Sequence, residues 1–245
     1  MHLRRSILLL LTLLLTACGS APTRSPLATW TPSPNHNARQ PQLIVLHHTE
    51  QSSVAQSLRT LRTANSGGRV SAHYLVGRDG DIHQLVGDLD RAWHAGVGQW
   101  RGMGDLNSSS IGIELDNNGS APFPPAQMDA LVALLADLCD RLSIPRTAVI
   151  AHADLAPARK RDPSRHFPWQ ALAQAGFGVW PDPADGPAPA GFDAWLGLRA
   201  FGYALDDRDA AVGAFHRRFR GRDDLPAELD AEDARILHSL LRQSR

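Results

Sequence analysis

Cysteine is nearly absent from this sequence, which has two among its 245 residues. A framework of several disulfide bonds is therefore excluded, and the fold must depend on its apolar core. No charge of one sign is in excess, since 25 basic residues balance 25 acidic ones, and this argues against binding to nucleic acid or to an anionic lipid surface. No apolar run reaches the roughly 20 residues of a membrane-spanning helix. What remains is a chain long enough for one well-packed core and a small second domain.

The first 18 residues have the pattern of an export signal. Arg4 and Arg5 precede a short apolar run from Ile7 to Leu15. Leu15-Thr-Ala-Cys18 then resembles the lipobox of bacterial lipoproteins, in which the signal is removed before the cysteine and the cysteine is acylated. The resemblance implies a lipid anchor on Cys18. Because Gly19 rather than aspartate follows, it also implies the outer membrane, facing the periplasm of a Gram-negative bacterium. The alternative is an ordinary secretory signal with an incidental cysteine.

The next segment, residues 19–41, is rich in proline and has little to bury. It contains Pro22, Pro26, Pro32, Pro34 and Pro41 amid small and polar residues. Such a composition predicts an extended tether that holds the folded part off the membrane. The other cysteine, Cys139, has no partner if Cys18 carries lipid, and its place among leucines at helical spacing predicts a buried thiol.

Residues 42–180 alternate between short apolar runs and helical patterns, which is typical of an α/β domain. Apolar residues at helical spacing predict helices over residues 54–61 and 126–142. The apolar runs predict three single strands and a hairpin at residues 43–46, 110–115, 148–151 and 72–86. Together these elements predict a mixed central β-sheet flanked by helices.

Polar residues follow two of these strands directly. His47 and His48 come after the first, while His152, Lys160 and Asp162 come after the last. Neutral imidazole and carboxylate are zinc ligands, and a catalytic zinc has three protein ligands plus water. Since successive strand residues point to opposite faces, only one of the adjacent pair His47 and His48 is expected to face the site. The alternative for residues 152–162 is a capped strand followed by a solvated turn.

Glu114 lies inside an apolar strand, where an unpaired carboxylate is costly to bury. Beside a zinc ion it would be a general base for an attacking water. The alternative is a salt bridge at the edge of the sheet.

Two loops carry aromatic residues that suit a sugar or a peptide. Trp93 and His94 lie in the first loop, and Trp100 and Asn107 lie in the second. We predict that Trp93, His94 and Asn107 bind substrate. For Trp93 and Trp100, closure of the core edge is an equal alternative.

Seven short segments resemble, in order and spacing, the zinc-dependent N-acetylmuramoyl-L-alanine amidases of the type 2 amidase family. They are His47-His-Thr49, Ser71-Ala-His-Tyr-Leu75, Ala92-Trp-His-Ala-Gly96, Ser110-Ile-Gly-Ile-Glu114, Ala151-His-Ala-Asp154, Arg159-Lys160 and Asp162-Pro163. The resemblance extends from about residue 47 to residue 180 and is greatest with lipoprotein members of the family. His48 departs from those members, in which tyrosine is common.

The resemblance implies a site and a reaction. His47, His152 and Asp162 would bind one Zn2+ per chain. Glu114 would be the acid/base and Lys160 would stabilise the transition state. The substrate would be the amide bond between N-acetylmuramic acid, or its 1,6-anhydro form, and L-alanine in peptidoglycan and muropeptides, for cell-wall turnover or recycling. A peptidoglycan recognition protein, which binds on the same fold without hydrolysis, is the alternative, but its non-hydrolytic members lack a metal ligand.

The C-terminal part reads as a separate helical unit. Residues 181–190 are rich in Gly and Pro and predict a linker. Residues 191–245 contain three helical patterns, which predict a small three-helix domain. The family resemblance implies that this domain is similar to peptidoglycan-binding modules, and a stabilising appendage is the alternative. We expect a monomer.

Overall fold

The computed structural model describes residues 24–38, 41–65 and 68–243. The predicted export signal and the predicted lipid acceptor Cys18 lie outside these residues. Within the described ranges, no helix combines the length and the hydropathy needed to cross a bilayer.

A six-stranded mixed sheet forms the centre of the molecule, in the order β1-β7-β6-β9-β3-β10. All neighbours in it are parallel except β6 and β7, which form the predicted hairpin. Two short pairs, β2 with β8 and β4 with β5, flank it. The strands are β1 (Thr29–Trp30), β2 (His36–Ala38), β3 (Leu43–His48), β4 (Ala64–Asn65), β5 (Gly68–Arg69), β6 (Tyr74–Val76), β7 (Ile82–Gln84), β8 (Asp90–Ala92), β9 (Ser110–Leu115) and β10 (Val149–Ala151).

The strand β3 is buried along its whole length between two parallel neighbours. Its apolar run has no polar alternation, as expected for a strand covered on both faces. The register pairs Ile44 with Ile111 of β9 and Val45 with Ile150 of β10. The carboxyl ends of these three strands therefore meet at one edge of the sheet, which is where α/β proteins place their ligands.

Helices cover the sheet. The longest, α3, buries Leu131, Leu134, Leu135 and Leu138, and it begins with proline in its first turn, where no backbone donor is lost. Cys139 is buried on the same helix as predicted, and burial raises the pKa of its thiol to about 11. The helices are α1 (Val54–Arg62), α2 (Leu106–Ser109), α3 (Pro125–Leu142), α4 (His152–Leu155), α5 (Trp169–Gln174), α6 (Ala194–Phe201), α7 (Arg208–Phe219) and α8 (Ala231–Gln243).

The three C-terminal helices share one continuous apolar core with the sheet. Trp100, in the loop between β8 and α2, packs edge-on against Phe201 and Tyr203, with ring centroids 5.6 and 5.2 Å apart. Trp100 is buried and closes the edge of the core. The three helices lie where the sequence predicts them, but their apolar faces are buried partly against the sheet domain.

The described part of the predicted tether differs from an extended spacer. Residues 29–30 pair in parallel with β7, and residues 36–38 pair with β8. Backbone donors of Thr31 and Ser33 also bond to carbonyls of Gln84 and Leu85, at 2.6 Å each. Proline is compatible with such an edge position, because an edge strand leaves half of its backbone groups unpaired by the sheet. Residues 24–38 thus lie along the domain.

Candidate active site

Three side chains predicted as metal ligands converge at the carboxyl edge of the sheet. The register pairs Ala151 with Leu46, so that the next residues, His152 and His47, come side by side with ring centroids 4.3 Å apart. Asp162, on the loop after α4, places Oδ2 at 3.1 Å from Nδ1 of His47 and 3.0 Å from Nδ1 of His152. One potential ligand atom from each residue lies within 4.8 Å of the others, and all three residues are buried.

The hydrogen bonds behind His152 define its tautomer. Its Nε2 lies 2.9 Å from the carbonyl oxygen of Ala95, which can only accept a hydrogen bond. Nε2 must therefore carry the proton, and a neutral ring then presents the lone pair of Nδ1 toward Asp162. The same carbonyl also accepts from Nη2 of Arg159 at 2.8 Å, which holds the Ala95 loop in place.

A hydrogen-bond relay through His94, Ser110 and the carbonyl of Leu106 defines the tautomer of His47 in the same way. The hydroxyl of Ser110 donates to the carbonyl of Leu106 and so accepts from Nε2 of His94, 3.3 Å away. Nδ1 of His94 is then an acceptor for Nε2 of His47 at 3.0 Å. This leaves the lone pair of Nδ1 of His47 facing Asp162. Burial, followed by the neighbouring His152, lowers the pKa of His47 to about 4, so the ring is neutral at pH 7.

The donor set fits a divalent cation. In the neutral form in which imidazole binds a metal, both rings would direct the lone pair of Nδ1 at a carboxylate oxygen about 3 Å away, an arrangement that is repulsive without a positive charge between the groups. A cation held by these three residues would offset the repulsion. Two nitrogens and one oxygen, with the remaining side open to a cavity, match a catalytic zinc site. The hydrogen bonds behind both rings are of the kind that orients metal-binding histidines.

Glu114 and Lys160 face the same cavity of about 380 Å³ as the three candidate ligands. Glu114 pairs with His47 in the register of β9 with β3. Its Oε2 atom is buried and has no hydrogen-bond partner in the described part of the chain. Burial, and secondarily the negative charge of Asp162, raises the pKa of Glu114 to about 8, while Lys160 opposes the shift. The carboxyl group is thus poised to exchange a proton near neutral pH.

The predicted substrate-binding residues separate into two groups. Trp93 and His94 line the cavity. Asn107 is buried behind it, and its Oδ1 accepts from the backbone N–H groups of His94 and Ala95 at 2.9 and 2.8 Å. Since that oxygen is used by two backbone donors, Asn107 shapes the loop that carries His94 and Ala95, and its contact with substrate stays a prediction.

Two contributors were not predicted from the sequence. A Cβ atom on Gly112 would lie 2.4 Å from the ring of His94, so only glycine leaves space for that ring over β9. A glycine inside an apolar strand is the signal that indicates such a close approach. Arg159 is the second, because its role depends on loop carbonyls that are distant in sequence.

The adjacent histidines have different roles. His47 joins the ligand cluster, whereas Nδ1 of His48 accepts from the backbone N–H of Ser164 at 3.0 Å. Ser164 lies two residues after Asp162, so His48 helps to hold the loop that carries this ligand. Successive residues of β3 point to opposite faces of the sheet, which accounts for the different roles of His47 and His48.

A profile of the N-acetylmuramoyl-L-alanine amidase family Amidase_2 matches residues 37–165, which is more than half of the chain. The chain belongs to this family. The family resemblance in the sequence is thereby confirmed, and the match contains Glu114 and all three candidate metal ligands.

Two curated members of the amidase family illustrate the relationship. N-acetylmuramoyl-L-alanine amidase AmiD of Escherichia coli K12 is 45% identical over 158 residues, which are 58% of this chain and 55% of that protein. 1,6-anhydro-N-acetylmuramyl-L-alanine amidase AmpD of the same organism is 44% identical over 101 residues, which are 41% of this chain and 55% of that protein. The chain thus matches about half the length of these curated relatives.

Two solved structures extend the likeness over most of this chain. A complex of Escherichia coli AmiD with the substrate anhydro-N-acetylmuramic acid-L-Ala-D-γ-Glu-L-Lys has a TM-score of 0.74 and 36% identity, covering 90% of this chain and 93% of that one. AmpDh3 of Pseudomonas aeruginosa has a TM-score of 0.73 and 31% identity, covering 90% and 98%. The predicted fold class, a mixed sheet flanked by helices, is confirmed.

Proposed function

We propose that this member of the amidase family is a zinc-dependent hydrolase of the amide bond between N-acetylmuramic acid and L-alanine. The observation that carries the proposal is the convergence of His47, His152 and Asp162 on one point, with Glu114 facing the same cavity. A recognition protein would need neither a buried carboxyl oxygen without a partner, such as Oε2 of Glu114, nor a complete set of ligands.

Each side chain has a role that follows from its place. When bound, zinc supplies Lewis acidity, which makes water a nucleophile at neutral pH. Glu114 takes the proton of the attacking water and gives it to the amine that leaves. Lys160 lies on the same cavity and offsets the negative charge that develops on the carbonyl oxygen. Trp93 offers an aromatic face to the sugar or the peptide.

The substrate class is proposed from the relatives and the cavity together. AmiD of Escherichia coli is described in complex with an anhydromuramyl peptide, and AmpD is named for the 1,6-anhydro substrate. A cavity of about 380 Å³ is within the usual range for a small-molecule binding site. We propose that muropeptides with either form of the muramic acid are cleaved, as a step of cell-wall turnover or recycling.

The remaining proposals concern location and assembly. A lipid on Cys18 would anchor the protein to the outer membrane on its periplasmic side, and residues 191–245 would add contact with peptidoglycan. The protein would act as a monomer. These proposals rest on the lipobox pattern and on the family resemblance.

One experiment tests the reaction directly. Pure protein is loaded with one equivalent of Zn2+ and incubated with defined muropeptides and their 1,6-anhydro forms, and the products are identified by mass spectrometry. Release of a free peptide that begins with L-alanine, together with the free sugar, is expected. Binding of the muropeptide without any cleavage would refute the hydrolase and favour the recognition protein.

A further inference from the structure

A buried ion pair joins the C-terminal helices to the segment that carries His152. Asp154, two residues after this ligand, has no exposed surface, and its partner Arg218 on α7 is 3% exposed. Nη1 of Arg218 donates to Oδ2 of Asp154, and the hydroxyl of Tyr203 donates to Oδ1 at 2.5 Å. The two side-chain partners of this carboxylate, Arg218 and Tyr203, thus come from the part of the chain that the sequence presents as a separate domain.

Asp154 in turn holds the backbone on one side of His152. Its Oδ2 accepts from the N–H of Ala151 at 2.8 Å. On the other side of His152, the N–H of Ala153 donates to the carbonyl oxygen of Asp162, also at 2.8 Å. His152 is therefore held between one contact that ends on Asp154 and another that ends on a second candidate ligand.

Arg218 also connects the elements around this turn. Its Nη2 donates to the carbonyl of Val149 in β10 at 3.2 Å, and its guanidinium lies 4.2 Å from the ring centroid of Trp169 in α5. The planar group thus contacts the strand before His152, the carboxylate after it and a neighbouring helix. Arginine suits this geometry because its donors form a rigid fork, which lysine lacks.

We propose that Arg218 and Tyr203 are positioning residues for the metal site: through Asp154 they fix the turn that presents His152. On this view, residues 191–245 complete the site in addition to any contact with the cell wall. The inference rests on the proposed zinc-dependent function. The proposal predicts that weakening the contact of Arg218 or Tyr203 with Asp154 lowers the affinity for metal by about 10–100-fold. This is the usual effect of removing a group that orients a metal ligand.

A purely structural ion pair would behave differently, and Arg220 provides the matched control. Its Nη1 donates to the buried carboxylate of Asp233 at 2.7 Å and to Asp230 at 3.2 Å, within the C-terminal helical region. Arg220→Lys should therefore lower the unfolding midpoint without changing the affinity for metal. Arg218→Lys and Tyr203→Phe should lower both.

The experiment uses the full chain and measures two quantities for each variant at equal folded fraction, verified by circular dichroism. The first is the dissociation constant of Zn2+, and the second is the visible absorption spectrum of the Co2+-substituted protein, which reports the geometry of the ligands. Tyr203→Phe removes a single oxygen and keeps the ring, so it decides the result if Arg218→Lys does not fold.

Weaker Zn2+ binding and an altered Co2+ spectrum in Tyr203→Phe or Arg218→Lys, with wild-type values in Arg220→Lys, would support the proposal. Wild-type affinity and spectrum in every folded variant of Arg218 and Tyr203 would overturn it. An equal loss of affinity in Arg220→Lys would also overturn it, because the effect would then be general destabilisation. Failure of the wild-type protein itself to bind Zn2+ would instead refute the proposed function, and that titration comes first.

Discussion

Glu114 lies directly opposite His47 in the parallel pairing of β9 with β3. Paired residues of neighbouring strands point to the same face, so the proposed base and a candidate zinc ligand reach the same cavity from adjacent strands. The sheet itself, and not a flexible loop, sets the separation between the two groups. This relationship makes Glu114 the first target for mutation.

Glu114→Gln should retain one Zn2+ per chain and lose hydrolysis by about 10²–10⁴-fold, because the amide cannot accept the proton of the attacking water. Turnover of a muropeptide and metal content are measured on the same preparation. Glu50→Gln is the matched control, since the Glu50 side chain is 74% exposed at the rim of the same cavity, and its turnover should stay within a few-fold of wild type. Full activity in Glu114→Gln would remove Glu114 from the mechanism.

The raised pKa of Glu114 predicts a pH dependence of stability in the metal-free protein. The folded state holds this proton up to about pH 8, whereas the unfolded chain releases it near its ordinary pKa of 4.5. Stability from the protonated carboxyl group is therefore fully present below pH 4.5 and is lost as the pH rises through 8. Glu114→Gln keeps a neutral group at every pH.

The difference in free energy of unfolding between Glu114→Gln and wild type should thus rise from pH 5 to pH 8, by up to a few kcal/mol at about 1.4 kcal/mol per pKa unit. Denaturant unfolding in the presence of a chelator measures it. A difference that does not change over this range would show that the carboxyl group is already ionised at pH 5.

Variants of the adjacent histidines should separate the two roles. His47→Ala removes a candidate ligand and should abolish stoichiometric Zn2+ binding. His48→Gln keeps a side-chain acceptor for the N–H of Ser164 and should still bind one Zn2+ per chain. Metal content after dialysis against a weak chelator distinguishes them. Retention of Zn2+ in His47→Ala together with its loss in His48→Gln would reverse the assignment.

Gly112→Ala tests the close approach of His94 to β9. The added methyl group would lie 2.4 Å from the His94 ring, which must move and so break the relay behind His47. We expect Zn2+ affinity to fall by about 10-fold or more. Gly213→Ala in α7 is the control, since its Cβ meets no atom within 4 Å and alanine favours a helix by about 1 kcal/mol. Equal Zn2+ affinity in the two variants would mean that the relay has no part in metal binding.

The sequence predicts those parts of the fold that local pattern determines. The strand Ser110–Leu115 appears with the predicted bounds, and α3 begins one residue earlier than predicted. The placement of His47 and His152 at strand ends also follows from sequence, because parallel strands bring their carboxyl ends together. The convergence with Asp162 is then a consequence of the loop that follows His152.

Local sequence patterns do not predict contacts between distant segments of the chain. The tautomers of both histidines depend on the carbonyl of Ala95 and the hydroxyl of Ser110, whose positions only the folded backbone defines. Arg218 lies in a run of charged residues that is typical of a solvated helix face, yet it is buried against a carboxylate 64 residues earlier. The place of Asn107 likewise depends on two backbone donors, those of His94 and Ala95, which the sequence alone does not identify.

The candidate ligands His47 and Asp162 are separated by 115 residues along the chain. An ion held between them would link two distant parts of the backbone in a protein whose described residues contain one thiol, that of Cys139. This metal cross-link is reversible. The stability it adds depends on the concentration of free metal, because an ion that binds only the native state shifts the unfolding equilibrium by mass action. We therefore expect resistance to heat to follow zinc supply, so that scarcity of the metal would deplete the folded protein as well as its activity.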